Sequence, residues 1–397
     1  MAPPAATQPS PQLNIPASSA TVTVSILDST LSLAKVPSAS FFQPVIPGNE
    51  YIGGPAHVFL IEHTAGAAAD TVAHDGDGQS QSQSPSPGTP TTTTKRRFLF
   101  DLSMRKDWEN LAPHLVKNIR DSGWEIQVRK NVAEVLEEEG GVDLESIEGI
   151  VLSTDLIVGP GFKDALFPGY PANPEASILE SDYSGRTVKE INFDKDEKAL
   201  KLGRFNAVDF FGDGSFYLID SPGHAPGHLC GLARTTPDTF ILMGGDIVHH
   251  GGEFRPSAYI PLPDSILPNP LDLQSPSACP GHVFEAIHPA KSRTQPFLHV
   301  ATGDDGGSKI ALDPAANQHS VEKLEEFDAW PENVFVVFAH DRENCVFKTL
   351  LDIIDFFPHA TANAWREKGW ANQGRWRFLS DFKPAVEQAQ AQAQVQA

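Results

Sequence analysis

Residues 218–231, LIDSPGHAPGHLCG, set His224 and His228 four positions apart in a segment where Pro222, Gly223, Pro226 and Gly227 rule out a regular helix. Two imidazoles held on a stiff loop beside a strand are candidates for metal ligands or for a catalytic base. Two more polar groups share this placement: Asp246 follows the apolar run FILMGG, and His340 closes VFVVFA, as His224 follows FYLID. Groups at the ends of buried strands are positioned by the scaffold and reach an open cleft. Two imidazoles and a carboxylate suit zinc or a similar borderline divalent ion. Taken one at a time, Asp246 and His340 read more simply as loop residues making caps and hydrogen bonds.

The elements that must hold these groups are visible as short apolar runs bounded by breakers. Residues 58–61 and 98–100 read as buried strands, and residues 64–96, rich in Gly, Ser, Pro and Thr, read as a surface insertion between them. Trp108, Leu111, Leu115 and Ile119 mark one helical face, with Pro113 starting or kinking the helix. Asn131, with Glu134 three residues on, predicts an N-cap for a second short helix that ends at Gly140 and Gly141. AVDFFGDGSFYLID and HLCGLARTTPDTFILMGGD have the pattern of hairpins. Residues 255–296, polar and Pro-rich, read as a long wall or lid; a helix near 321–327 precedes NVFVVFAHD, and a last helical segment carries Leu350, Leu351 and Ile354. Strands in two groups, with helices between and after them, predict a layered α/β sandwich.

One junction does not fit. GIVLS, residues 149–153, is followed almost at once by DLIVGP, whereas a parallel return within one sheet needs a dozen or more residues. Either this is one long strand or a connection is absent.

With 30 basic and 51 acidic side chains the net charge of −21 repels phosphate and anionic lipid, so neither a nucleic-acid nor a membrane partner is expected. Cys230, Cys279 and Cys345 are odd in number and form no CxxC pair, which argues against a disulfide framework or a cysteine zinc site. No signal-peptide pattern and no 18-residue apolar run is evident, so a cytoplasmic protein is expected. Residues 1–20 and 384–397 are low in complexity and are expected to be disordered tails around one domain, 21–383.

DSPGHAPGHLCGL, FILMGGD and VFVVFAHD, in that order, resemble the third, fourth and fifth metal motifs of the metallo-β-lactamase superfamily. HVFLIEH and RRFLFDLS resemble its first strand pair, with Asp101 matching the first motif. The resemblance runs over residues 24–382, and the Pro-Gly-His-x-Pro-Gly-His form is most like the lactonase and glyoxalase-II-like branches. It implies an α/β fold, a four-layer αββα sandwich with a two-zinc cleft at one edge. It also implies that His224 binds the first zinc, that Asp246 bridges both as the catalytic carboxylate, and that His340 binds the second. In that chemistry a zinc-bound hydroxide opens a small-molecule lactone, lactam or related ester or thioester. His228 then reads as a neighbour rather than a ligand. His249, His250 and Arg255, beyond Asp246, are the candidate substrate-binding residues, with Glu253, Phe254 and Tyr259 beside them.

The chain also departs from the family. The signature second motif, His-x-His-x-Asp-His, belongs after GIVLS; here Ser153 runs directly into TDLIVGPGF, and the motif occurs nowhere in the chain. A deleted segment accounts for both the missing motif and the short junction. Three readings stay open: a metal-dependent hydrolase; an impaired or inactive relative that binds a metabolite or partner in the old cleft; and a mononuclear enzyme in which Asp155 or a loop histidine aids His224, Asp246 and His340. Two zincs, one or none are correspondingly expected.

Overall fold

The computed structural model describes residues 8–64, 95–151, 156–303, 310–341 and 354–396. Apolar runs become strands of two facing six-stranded sheets. The first contains β1 (Val22–Asp28), β2 (His57–Thr64), β3 (Lys95–Phe100), β4 (Ile147–Val151), β5 (Leu156–Val158) and β6 (Val188–Glu190), in that spatial order. The second contains β7 (Ala199–Leu202), β8 (Phe205–Asp209), β9 (Phe216–Asp220), β10 (Leu229–Thr236), β11 (Thr239–Met243) and β12 (Val334–Val337), also in chain order. β7 to β11 form an antiparallel meander, and β12 joins parallel to β11.

Alternation along each strand explains the layering. Val24, Ile26, Phe59, Phe98 and Phe100 of the first sheet pack against Phe216, Leu218, Ile241 and Val337 of the second. The opposite face of the first sheet, with Leu60, Leu99 and Ile147, is covered by Val132, Val135 and Leu136 of a short helix. The opposite face of the second, with Tyr217, Leu232 and Leu242, is covered by Val321, Leu324 and Phe327 of a longer one. Both faces of the central strands are therefore apolar, which is why FYLID, FILM and VFVV read as continuous rather than alternating runs. The result is the expected αββα sandwich.

The helices, in chain order, are α1 (Pro113–Ser122), α2 (Val132–Glu138), α3 (Phe162–Leu166), α4 (His282–Ile287), α5 (Pro314–Asp328), α6 (Trp370–Gly374) and α7 (Lys383–Gln396). Pro113 starts α1, so Trp108 and Leu111 precede it instead of lying on its face. Asn131 caps α2, with the Glu134 carboxylate accepting the Asn131 N–H at 2.7 Å. α5 extends well beyond the predicted 321–327.

At both expected tails the described residues make contacts with the rest of the chain. Residues 8–20 lie against the second sheet: the Leu13 carbonyl accepts the Gly203 N–H, the Pro11 carbonyl accepts the Trp330 indole N–H, and the Leu13 side chain is buried. The Ala- and Gln-rich C-terminus forms α7, with Ala385 and Val386 buried, because those residues have little to lose in a helix. Most of the insertion 64–96 lies outside the described residues, but β2 and β3 on either side of it pair antiparallel, as expected. Leu350, Leu351, Cys345, Ser153, Thr154 and Asp155 also lie outside them.

The suspect junction resolves into two strands. β4 and β5 run parallel, held by the single pair Ile150 and Leu156, with only residues 152–155 between them. The other parallel neighbours are joined through helices: β3 to β4 through α1 and α2, β5 to β6 through α3, and β11 to β12 through α4 and α5. On the outer face above β3, β4 and β5 lies a cavity of about 730 Å³, lined by Leu99, Leu136, Ile147, Leu156, Phe162 and Ile178 and reaching Asp101. Beyond β5, the Gly159 N–H donates to the Gly227 carbonyl at 2.9 Å, tying this edge to the PGHAPGH loop.

Candidate metal centre

The second sheet delivers three of the predicted groups to one place. His224 follows β9, Asp246 follows β11 and His340 follows β12. His224 Nε2 lies 3.3 Å from Asp246 Oδ2, and His340 Nε2 lies 3.4 Å from Asp246 Oδ1. The loop carrying His224 is clamped by α5: the Leu312 and Asp313 N–H groups donate to the His224 and Gly223 carbonyls, and Ser320 Oγ donates to the Pro222 carbonyl. Gly223 has φ 127°, and a Cβ there would sit 2.0 Å from the Asn317 backbone nitrogen, so only glycine fits. The Asn317 amide also donates to the Ile247 carbonyl, joining the His224 and Asp246 loops through one residue.

His340 is oriented as a ligand should be. Its Nδ1–H donates to the Pro55 carbonyl at 2.9 Å, which leaves the Nε2 lone pair turned toward Asp246. Burial alone raises the Asp246 carboxyl, but His340, His224 and His249 around it hold it well below the usual carboxylate range. Two buried atoms of the cluster, Asp246 Oδ1 and His224 Nδ1, have no hydrogen-bond partner among the described residues. Buried polar atoms are rarely left so, and an ionised carboxylate facing imidazole lone pairs is a suitable donor set for a divalent cation. The residues present thus fit a metal ion, as the sequence expected.

The His224 and His228 pair divides. Both ring nitrogens of His228 are engaged: Nδ1 with the Ser221 hydroxyl at 2.9 Å and carbonyl at 3.0 Å, Nε2 accepting the Asp246 N–H at 3.0 Å. Burial, then the neighbouring His224, push its pKa down to about 4, so it remains a neutral acceptor. It positions Asp246 and has no lone pair left for a metal.

The second adjacent pair, His249 and His250, also divides, because the extended backbone at His250 sends the two rings apart. The His249 ring joins the cluster, 5.2 Å from the His224 ring and 5.7 Å from that of His340. One ligand atom each from His224, Asp246 and His249 lie within 4.8 Å of one another. His250 instead packs among Phe42, Phe378 and Phe382, with Nε2 3.3 Å from buried Asp381. Arg255 is likewise committed elsewhere: it donates to both Asp328 oxygens, at 2.7 and 3.0 Å, and to the Arg375 carbonyl, and stacks over Phe254. Neither His250 nor Arg255 is brought to the cluster.

Glu253, expected beside the pocket, instead turns inward: its buried carboxyl accepts the N–H groups of both His249 and His250, at 2.6 and 2.9 Å. The spacing of the acid three and four residues beyond the histidines was the available signal. Asp101 stands beside the cluster in a left-handed conformation, φ 69°, fixed by its own carboxylate accepting the Leu102 and Ser103 N–H groups. Burial, then the charge of Asp246, push its carboxyl up. A left-handed aspartate costs on the order of 1–3 kcal/mol, and such residues cluster at functional sites.

A sandwich of this build, with imidazoles and a carboxylate gathered at strand ends, has the framework of a metal-dependent hydrolase. No family model matches the chain. Among curated proteins, Gamma-lactamase FDB1 of Fusarium pseudograminearum is 40% identical over 396 residues, covering 95% of this chain and 86% of that protein. Metallo-hydrolase mfmC of Annulohypoxylon moriforme is 36% identical, covering 96% of this chain and 93% of its own length. Gamma-lactamase MBL2 of Gibberella moniliformis is 46% identical over 244 residues, 57% of this chain and 99% of that protein. Among solved structures, an AiiA variant from B. thuringiensis with N-decanoyl-L-homoserine bound superposes with a TM-score of 0.46 and 12% identity, over 86% of this chain and 99% of the other. The chain belongs to the metallo-β-lactamase superfamily, among its metallo-hydrolases.

Proposed function

We propose that the protein hydrolyses a small cyclic amide or ester, a lactam or lactone, in a metal-dependent reaction that adds water across the C–N or C–O bond of the ring. The observation that carries this reading is the convergence of His224, Asp246 and His340 from three separate strand ends, with a buried carboxylate oxygen that accepts no hydrogen bond from the described residues. The relatives named gamma-lactamase favour a lactam within that class. His224 would hold zinc through Nε2 and Asp246 through its carboxylate, with His340 Nε2 facing the other carboxylate oxygen. Zinc, when bound, polarises a carbonyl and brings the pKa of a water close to neutral. The chain's own residues do the rest. Asp246 stays ionised at neutral pH and fixes positive charge at the strand ends, and the Pro55 carbonyl keeps His340 from swinging away. His228 holds the Asp246 backbone, so the carboxylate meets the imidazoles without reorganising.

The absence of His-x-His-x-Asp-His favours a second reading, an impaired or inactive relative that binds a metabolite in the same cleft. One experiment separates them: metal content of the purified protein, with turnover of a γ-lactam and a γ-lactone before and after chelation. Chelator-sensitive turnover that Asp246→Ala abolishes, together with bound metal, supports the hydrolase. No metal and no turnover would sink it for this chain.

A further inference from the structure

We infer that His249 is a metal ligand in this chain, and that His224, Asp246 and His249 together hold a single divalent cation. The inference deepens the proposed metal centre and rests on it, but not on hydrolysis. Its first ground is distance: one donor atom from each of the three residues lies within 4.8 Å of the others. Donors around one four-coordinate zinc, at about 2.0–2.1 Å from the ion, sit roughly 3.3–3.5 Å apart. Rotations of the side chains by about an ångström close the difference, with no backbone movement.

The second ground is valence. His228 has both ring nitrogens hydrogen-bonded, and His250 has Nδ1 accepting the Gly252 N–H. His249 bonds through its backbone N–H to Glu253, and its ring turns toward Asp246 and His224. The backbone of His249 is held firmly, its N–H donated to Glu253 at 2.6 Å, and its ring rests 4.3 Å from that of Phe41. A ring held in place with a nitrogen turned to the Asp246 carboxylate and to a second imidazole is arranged as a ligand would be.

The third ground is the division of Asp246. His224 faces Oδ2 and His340 faces Oδ1, so the two imidazoles stand on different carboxylate oxygens. An ion on the Oδ2 side takes His224 and leaves His340 across the carboxylate. His249 then supplies the third protein ligand, and three protein ligands plus an open position is the usual composition of a catalytic zinc site.

The test is cobalt(II) titration of the metal-free full chain, followed by calorimetry and by visible absorption, in wild type, His249→Ala, His340→Ala and His224→Ala, with folding checked by circular dichroism. We expect one cobalt per wild-type chain and altered ligand-field bands in His249→Ala. Its affinity should fall more than about a hundredfold, beyond what loss of a merely orienting partner causes. His340→Ala should keep the bands and lose less than about tenfold. If His249→Ala does not fold, His249→Asn takes its place. Unchanged bands and affinity without His249 would overturn the inference while leaving the hydrolase reading intact, as would two cobalt ions per wild-type chain. His249-dependent binding of one cobalt without lactam or lactone turnover would uphold the inference and overturn the hydrolase. A wild type that takes no cobalt would overturn both.

Discussion

Replacing His228 with alanine tests whether the PGHAPGH loop contains one ligand and one positioning residue, or two ligands. The imidazole is half-buried, accepts the Asp246 N–H at 3.0 Å and meets Ser221 at 2.9 Å. Removing it strands a buried N–H, at about 1–3 kcal/mol, and loses a second hydrogen bond worth about 1 kcal/mol. The hole left by the ring adds roughly 1 kcal/mol. His228→Ala should therefore lose on the order of 3–5 kcal/mol in urea denaturation monitored by fluorescence. The same loss frees the Asp246 backbone, so cation affinity should fall about 10- to 100-fold, as it does when a partner that orients a ligand is removed. His224→Ala should abolish binding while costing less stability, since His224 Nδ1 has no hydrogen bond to lose among the described residues. The reasoning fails if His228→Ala abolishes cation binding as fully as His224→Ala does. It fails equally if stability and affinity are both unchanged.

Other perturbations probe the framework. Gly223→Ala puts a Cβ 2.0 Å from the Asn317 nitrogen at φ 127° and should destabilise by about 3 kcal/mol or more, with cation binding weakened in step, measurable by denaturation and calorimetry. Burial, and then the charges of Glu322 and Asp328, push the Glu325 carboxyl up from 4.5 to about 8. The folded chain therefore holds a proton that the unfolded chain releases, and this group's contribution is full below about pH 4.5 and lost as pH rises through about 8. Glu325→Gln should flatten the stability profile across that window by on the order of a few kcal/mol, and an unaltered slope would rule out Glu325 as its source. Cys230, whose thiol burial pushes up to about 12 and which donates to the Gly244 carbonyl, should resist iodoacetamide at pH 8 until the protein unfolds, as read by peptide mass spectrometry. Sequencing the transcript across the Ser153 and Thr154 codons should reveal a longer form with roughly a dozen or more additional residues; a genomic and transcript sequence agreeing with the present one would dismiss that account.

Much of the architecture was legible because it depends on local pattern. Runs apolar on both faces became the central strands, and Asn131 with Glu134 announced a helix that formed where expected. The positions of His224, Asp246 and His340 followed from the same signal, since each ends such a run. What escaped depends on partners distant in the chain. Residues 8–20 look featureless alone, yet the carbonyls of Leu13, Pro16 and Pro11 satisfy Gly203, Arg234 and Trp330. Arg255 reads as a cleft residue until Asp328 appears 73 positions later. His249 and His250 are indistinguishable by composition, and only the extended backbone between them assigns one ring to the cluster and the other to the phenylalanines.

The cavity above β3, β4 and β5 has a consequence for the metal centre, although no cluster residue lines it apart from neighbouring Asp101. β5 hangs from β4 by one residue pair and donates, through Gly159, to the loop that carries His224. Displacing β5 breaks this hydrogen bond to the loop, so the two motions are coupled. Linkage makes the relation reciprocal. A cation at the strand ends should slow amide exchange at Gly159 and along β5, and whatever fills the cavity should tighten cation binding without touching the ion.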